Sequence, residues 1–252
     1  MFRALILAAV VWAGPAWAGP ARAGPAWAGL TEDAAPLTPA SVTVPATARG
    51  AVVWLHGSYD AAREPRPDDP DWLAPLLARG YDLWHFDRAA RPDPLAEGGA
   101  RLLRGLAGLR AGGYRRIVVA GFSRGAFIGM AALARADLAD AVIAMSPAAH
   151  GRRVERRGEA LSAWAGLLQA AGPVRLAFAV LRDDPWDPGP EARAAAARES
   201  LPGRTGRLLL IDRPAGFSDH MESFTPEFAA RFGLCLAAFA DGDGAADGCD
   251  GR

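Results

Sequence analysis

Short apolar runs recur along this chain at intervals that leave room for little except a layered α/β fold. Ala51–Leu55, Tyr81–Phe86, Ile117–Ala120, Ala141–Met145, Val174–Leu181 and Leu208–Ile211 are each bounded by Gly, Asp or Pro. Runs of this length without polar alternation fit parallel strands buried on both faces. Between them lie helix-patterned stretches: Asp71–Arg79, Leu95–Arg110, Ala126–Arg135, Glu159–Ala171, Glu191–Ser200 and Pro226–Ala240. Leu102, Leu103, Leu106 and Leu109 form one helical stripe. Strands alternating with helices predict a doubly wound, mostly parallel sheet with helices on both faces. A further short run, Ser41–Val44, offers one extra strand. In such sheets the functional site lies beyond the C-terminal ends of the strands.

Composition narrows the chemistry. The 28 basic residues balance 28 acidic ones, and all the basic residues are arginine; lysine and asparagine are absent. Zero net charge argues against a nucleic-acid partner held by phosphate contacts. Without lysine there is no Schiff-base or Ser-Lys chemistry, and without asparagine no Cys-His-Asn triad. The arginine, alanine, glycine and proline bias reads as that of a GC-rich coding sequence.

The N-terminus has the anatomy of a secretory signal peptide. Met1-Phe2-Arg3 is followed by the apolar run Ala4–Ala13 and then by small-x-small sites, of which Ala16-Trp17-Ala18 lies nearest. The expected organisation is a leader over residues 1–18, with cleavage able to extend to 28. A linker and first strand follow over 19–49, then a domain over 50–240 and a Gly/Asp-rich tail over 241–252. The apolar run is too short to span a bilayer, so a periplasmic or secreted protein with no stable membrane insertion is expected. In an oxidising compartment the two cysteines, Cys235 and Cys249, are expected to pair.

The chemistry falls at the predicted strand ends. Gly121-Phe122-Ser123-Arg124-Gly125 is a G-x-S-x-G pattern. With eight serines in a glycine-rich chain, about 0.1 chance occurrences are expected, so context decides. A strand leads in and a helix leads out, as a sharp turn that lifts a serine hydroxyl clear of a sheet requires. The helix dipole there favours an oxyanion. A serine nucleophile needs a base, and His220, past the last strand, is placed to serve. The base needs an acid to fix its tautomer. Asp183, Asp184 and Asp187 follow the preceding strand; Asp184 is favoured and Asp187 is the alternative. His85, inside a strand, reads as a satisfied core histidine. His150 precedes every candidate acid and is the weaker base.

Taken together, the elbow, the acid and histidine loops and His56-Gly57-Ser58 resemble a small α/β hydrolase over about Val52 to Ala240. The resemblance is to esterases and dienelactone-hydrolase-like enzymes. It implies backbone oxyanion donors at Ser58 and Arg124, and a bracing role for His56. The chain departs from the family pattern at Leu181 and Asp219, where glycine is common, and in having at most one N-terminal strand before the core.

Only Ser146 to about Gly158 occupies the place of the family's cap domain, so an open cleft without a cap is expected. Arg152, Arg153, Arg156 and Arg157 in this segment read first as a solvated basic loop and second as a lure for an anionic substrate. Tyr59, Trp72 and Trp186 read equally as apolar walls of the cleft and as buried core. The resulting expectation is a serine hydrolase acting on a small-molecule carboxylic ester or thioester through an acyl-enzyme, with no metal or cofactor. A serine peptidase and a non-catalytic binding protein on the same scaffold are the alternatives.

Overall fold

The computed structural model describes residues 37–43, 45–58, 68–88, 94–152, 154–187, 189–201 and 208–243. The expected leader, most of the expected linker, Tyr59, Arg153 and Cys249 lie outside the described residues, and with Cys249 the expected disulfide. Cys235 sits half-buried in the C-terminal helix.

Seven strands form one sheet in the order β1-β3-β2-β4-β5-β6-β7. They are β1 (Leu37–Ser41), β2 (Gly50–Leu55), β3 (Tyr81–Phe86), β4 (Ile117–Phe122), β5 (Ala141–Met145), β6 (Arg175–Val180) and β7 (Leu208–Asp212). All pairings are parallel except β1 with β3. The doubly wound, mostly parallel sheet expected from the sequence is the fold observed.

Six α-helices connect the strands: α1 (Ala74–Ala78), α2 (Leu95–Ala111), α3 (Ser123–Gly129), α4 (Arg157–Gln169), α5 (Pro190–Ser200) and α6 (Pro226–Asp241). The central strands β2 to β6 are buried on both faces, so alternate side chains enter two separate cores. Val53 and Leu55 point to the face where Leu106, Phe127, Trp164 and Ala194 of α2 to α5 pack. Val52 and Trp54 point to the other, against Trp72, Leu76, Phe228 and Phe232 beside α1 and on α6. Each face thus buries a continuous apolar layer, the dominant stabilising contribution to such a domain. Trp72 is core, edge-on to Trp54 at 5.7 Å, and not a cleft wall.

Three local expectations are corrected. The first strand is Leu37–Ser41, not Ser41–Val44. It is an antiparallel edge strand with a register shift between Pro39 and Ser41. Proline is tolerated there because one side of an edge needs no ladder donor. Leu37 packs where a Cβ on Gly105 would come within 2.8 Å of its side chain, which draws β1 onto α2. The stretch Asp71–Arg79 is a 3₁₀ turn, Asp71–Leu73, leading into α1 with Pro75 in its first turn. The helix after the elbow begins at Ser123, and Met130–Ala134 tightens to 3₁₀.

The lower end of the sheet, where the parallel strands begin, is closed by one carboxylate. Asp241 at the end of α6 accepts from Arg49 at 2.7 Å, Arg79 at 2.8 Å and the Tyr81 hydroxyl at 2.8 Å, and pairs with Arg116 at 2.5 Å. Although burial opposes its charge, these donors hold the carboxyl well below the usual carboxylate range. Burial, reinforced by the Asp241 bond, pushes the Tyr81 phenol up to about 12. Among the described residues no helix is long and apolar enough to cross a membrane.

Candidate active site

The upper end of the sheet carries the site. Ser123 follows β4 directly with φ of 53°, a left-handed backbone that L-residues rarely adopt. The turn is tight because its glycines leave room for nothing else. A Cβ on Gly121 would lie 2.7 Å from the Ala126 nitrogen. On Gly125 it would overlap the Leu55 and His56 carbonyl oxygens of β2 and its loop. The G-x-S-x-G spacing is therefore a packing requirement of the β4–α3 turn against β2.

His220 and Asp184 meet over this turn. Asp184, just past β6, is 6% exposed, and its Oδ2 lies 2.7 Å from His220 Nδ1. Its other oxygen accepts the Trp186 N–H at 2.8 Å, which leaves Asp184 oriented from both sides. The His220 ring rests at 4.8 Å from the Phe122 ring and 6.0 Å from Trp186. With Nδ1 bonded to a carboxylate, the ring is held in the tautomer that leaves Nε2 free to accept a proton.

Ser123 and His220 line one pocket of about 390 Å³ with Ser58, Arg124, Trp186 and Met221. The structure thus brings Ser123, His220 and both candidate oxyanion donors, Ser58 and Arg124, to a single cavity. Behind the donor loop, His56 Nδ1 lies 2.6 Å from the Gly57 carbonyl oxygen, in keeping with a brace. Gly57 itself is wedged: a Cβ there would approach the Phe122 ring at 2.8 Å.

The remaining candidates fall elsewhere. Asp183 takes a left-handed turn (φ 56°) and is exposed. Asp187 turns away from His220: its Oδ1 accepts the Gly189 N–H at 3.0 Å and its Oδ2 faces Arg193 at 3.5 Å. Burial pushes the Asp187 carboxyl up, against the opposing pull of Arg193. Arg193 is 1% exposed, and the same burial pushes its pKa down. Sequence reasoning passed over Arg193; one more arginine on an alanine-rich helix carries no signal.

His150 is buried under Phe127 at 5.5 Å, its pKa pushed down by burial, and its Nε2 is 4.0 Å from Glu159. His85 Nε2 meets Asp69 at 2.9 Å, so it is satisfied by a carboxylate at the sheet's rim. The arginine cluster disperses. Arg156 forks onto Glu159 at 2.7 and 2.9 Å, whereas Arg152 stacks over Trp186 at 4.6 Å and so reaches the pocket wall. Among the described residues no group of three or more His, Cys, Asp or Glu side chains converges as metal ligands would.

Strand order, the elbow after β4 and the acid and histidine loops after β6 and β7 together define the class: this is the α/β-hydrolase fold. No protein-family model and no curated protein sequence matches the chain. Solved structures do match it. A monoacylglycerol lipase of Paleococcus ferrophilus is 14% identical, with a TM-score of 0.59 over 82% of this chain and 99% of that one. An acetyl ester-xyloside bifunctional hydrolase of Caldicellulosiruptor lactoaceticus is 13% identical, with a TM-score of 0.57 over 82% and 87%. An esterase of Pyrococcus furiosus is 15% identical, with a TM-score of 0.56 over 81% and 89%. At such identities the likeness is one of fold.

Proposed function

We propose that the protein is an exported serine hydrolase that cleaves a small carboxylic ester or thioester through an acyl-enzyme on Ser123. The observation that carries this reading is the 2.7 Å Asp184–His220 pair sharing a pocket with a serine in left-handed backbone. Ser123 Oγ attacks the substrate carbonyl while His220 Nε2 accepts its proton. The tetrahedral oxyanion is stabilised by the Ser58 and Arg124 N–H groups and the α3 dipole. His220 then protonates the leaving group and activates the water that releases the acyl group. Asp184 keeps His220 oriented and stabilises its charged form.

The three similar structures described above are named for ester cleavage, which favours an ester over a peptide bond. The pocket is large enough for a small-molecule ester, and Trp186, Met221 and Ala148 supply an apolar wall. The leader over residues 1–18 would carry the chain out of the cytoplasm.

A fluorophosphonate probe tests the reading directly. The wild type should become labelled on Ser123 and hydrolyse p-nitrophenyl acetate or butyrate, and Ser123→Ala should lose both properties. A folded wild type that neither labels nor hydrolyses these esters would make the protein a binder on a hydrolase scaffold.

A further inference from the structure

Among the described residues Arg193 is the largest charged side chain sealed inside the protein, and the chemistry proposed above does not use it. It projects from α5 between two loops that have no direct covalent connection near the site. On one side its Nη1 donates to the Pro147 carbonyl oxygen of the loop after β5. The next residue of that loop, Ala148, donates its N–H to the Ser123 carbonyl at 3.1 Å. On the other side the same Nη1 faces Asp187 at 3.5 Å. Asp187 in turn donates its N–H to the Asp184 carbonyl at 3.1 Å. The guanidinium also lies against Trp164 at 5.3 Å and Phe127 at 5.9 Å, and Phe127 is on the helix that Ser123 begins. One planar group therefore spans the nucleophile's loop and the acid's loop.

Stability alone does not account for this arrangement. A buried ion pair commonly contributes no more than well-packed apolar side chains of the same volume. This pair is also imperfect: Asp187 Oδ2 and Arg193 Nε carry no hydrogen bond. What an apolar pair cannot do is hold a carbonyl of one loop and a carboxylate of the other at fixed separation.

We infer that Arg193 is a positioning residue: through Pro147 and Asp187 it sets the distance between the Ser123 elbow and the Asp184–His220 pair. The inference rests on the serine-hydrolase reading of the same site. Its action is indirect, since Arg193 reaches neither Ser123 nor His220. Arg193→Lys keeps the charge but reaches both loops less well. The double variant Arg193→Met/Asp187→Asn removes both charges at nearly constant volume and leaves Gly189 an acceptor at 187, so it uncouples the loops with the least disturbance of the packing.

Two measurements on the full-length protein test this. The first is the rate of fluorophosphonate labelling at Ser123. The second is the downfield proton NMR resonance of His220 Nδ1–H in its bond to Asp184, which a purely structural role would leave in place. In the double variant, labelling should slow by about 100-fold, the effect of a misplacement on the order of 1 Å, and the resonance should shift or broaden away. Arg193→Lys should slow labelling by about tenfold and retain the resonance, by the same geometric reasoning. A double variant with native circular dichroism that labels at the wild-type rate and keeps the wild-type resonance would overturn the role of Arg193 alone. A wild type that never labels overturns the hydrolase reading, and the inference with it.

Discussion

Among the described residues four that are not glycine have left-handed backbone: Ser123, Ser146, Asp183 and Arg213. Each stands within three residues of the C-terminal end of a parallel strand, from β4 to β7 in turn. Strain of this kind costs about 1–3 kcal/mol per residue and persists only where the surroundings impose it. Here it is gathered at the end of the sheet that holds the pocket. Ser146 adds a buried hydroxyl with no hydrogen-bond partner. Ser146→Gly should therefore raise stability by about 1 kcal/mol, by relieving the backbone and removing that hydroxyl; urea unfolding reads the difference. The acid is tested by a pair of substitutions. Asp184→Asn should lower kcat by about 1,000-fold or more, because His220 loses the partner that fixes its tautomer. Asp187→Asn should lower it by about tenfold, since it only loosens the loop. Equal losses would remove the distinction drawn between them. The sequence limits the acid to three neighbouring aspartates but does not choose among them. A turn so rich in Asp and Pro is set by long-range contacts to His220 and Arg193.

The elements differ in how plainly the sequence announces them. The parallel strands are legible because burial on both faces demands an unbroken apolar run. The elbow is legible because its glycines meet backbone atoms. β1 is shifted from its expected place because an exposed edge demands little of its residues: three of its five are exposed. Arg193 is invisible in the sequence for a different reason. Its partners at 147 and 187 come together only through the tertiary fold. At the lower end of the sheet, α6 is fastened by Asp241 to arginines that precede β2 and β4 or follow α1. Asp241→Asn should cost about 1–2 kcal/mol: it removes the buried carboxylate that three guanidinium groups share, but those groups are partly exposed and two also meet Asp243. The folded-state pKa of Asp241 is depressed. Its contribution is therefore full above the unfolded carboxylate value of about 4 and is lost as pH falls through and below it. Acidification from pH 5 to pH 3 should lower the melting temperature of the wild type more than that of Asp241→Asn, with calorimetry as the check.

At the scale of the whole molecule, strain and polar convergence are divided between two ends. The upper end holds left-handed turns, a pocket and loops that contact one another through single side chains. The lower end holds a dense ion cluster, and its left-handed turns, at Gly80, Gly113 and Gly242, fall on glycines, which adopt them without strain. The proposed export adds a prediction about the full chain. Protein recovered from the periplasm or medium of an expressing cell should begin at Gly19, as read by N-terminal sequencing, and should lack residues 1–18. Recovery of intact Met1 in the cytoplasmic fraction alone would contradict it. The division between a site end and an ion-cluster end separates the effects expected of substitutions. Substitutions at the lower end should act on stability with little effect on kcat, whereas those in the upper loops that touch Ser123, Asp184 or His220 should act on kcat.

The ion cluster around Asp241 also fixes where the polypeptide departs. Past Gly242, whose left-handed φ of 86° ends α6, the chain leaves the described fold at Asp243, on the side of the sheet opposite the pocket. A tag or linker attached at Asp243, in place of the residues that follow it, starts from that far side. An affinity tag, a surface linker or a second protein fused there would anchor the molecule by its base, with the Ser123 pocket turned outward to solution.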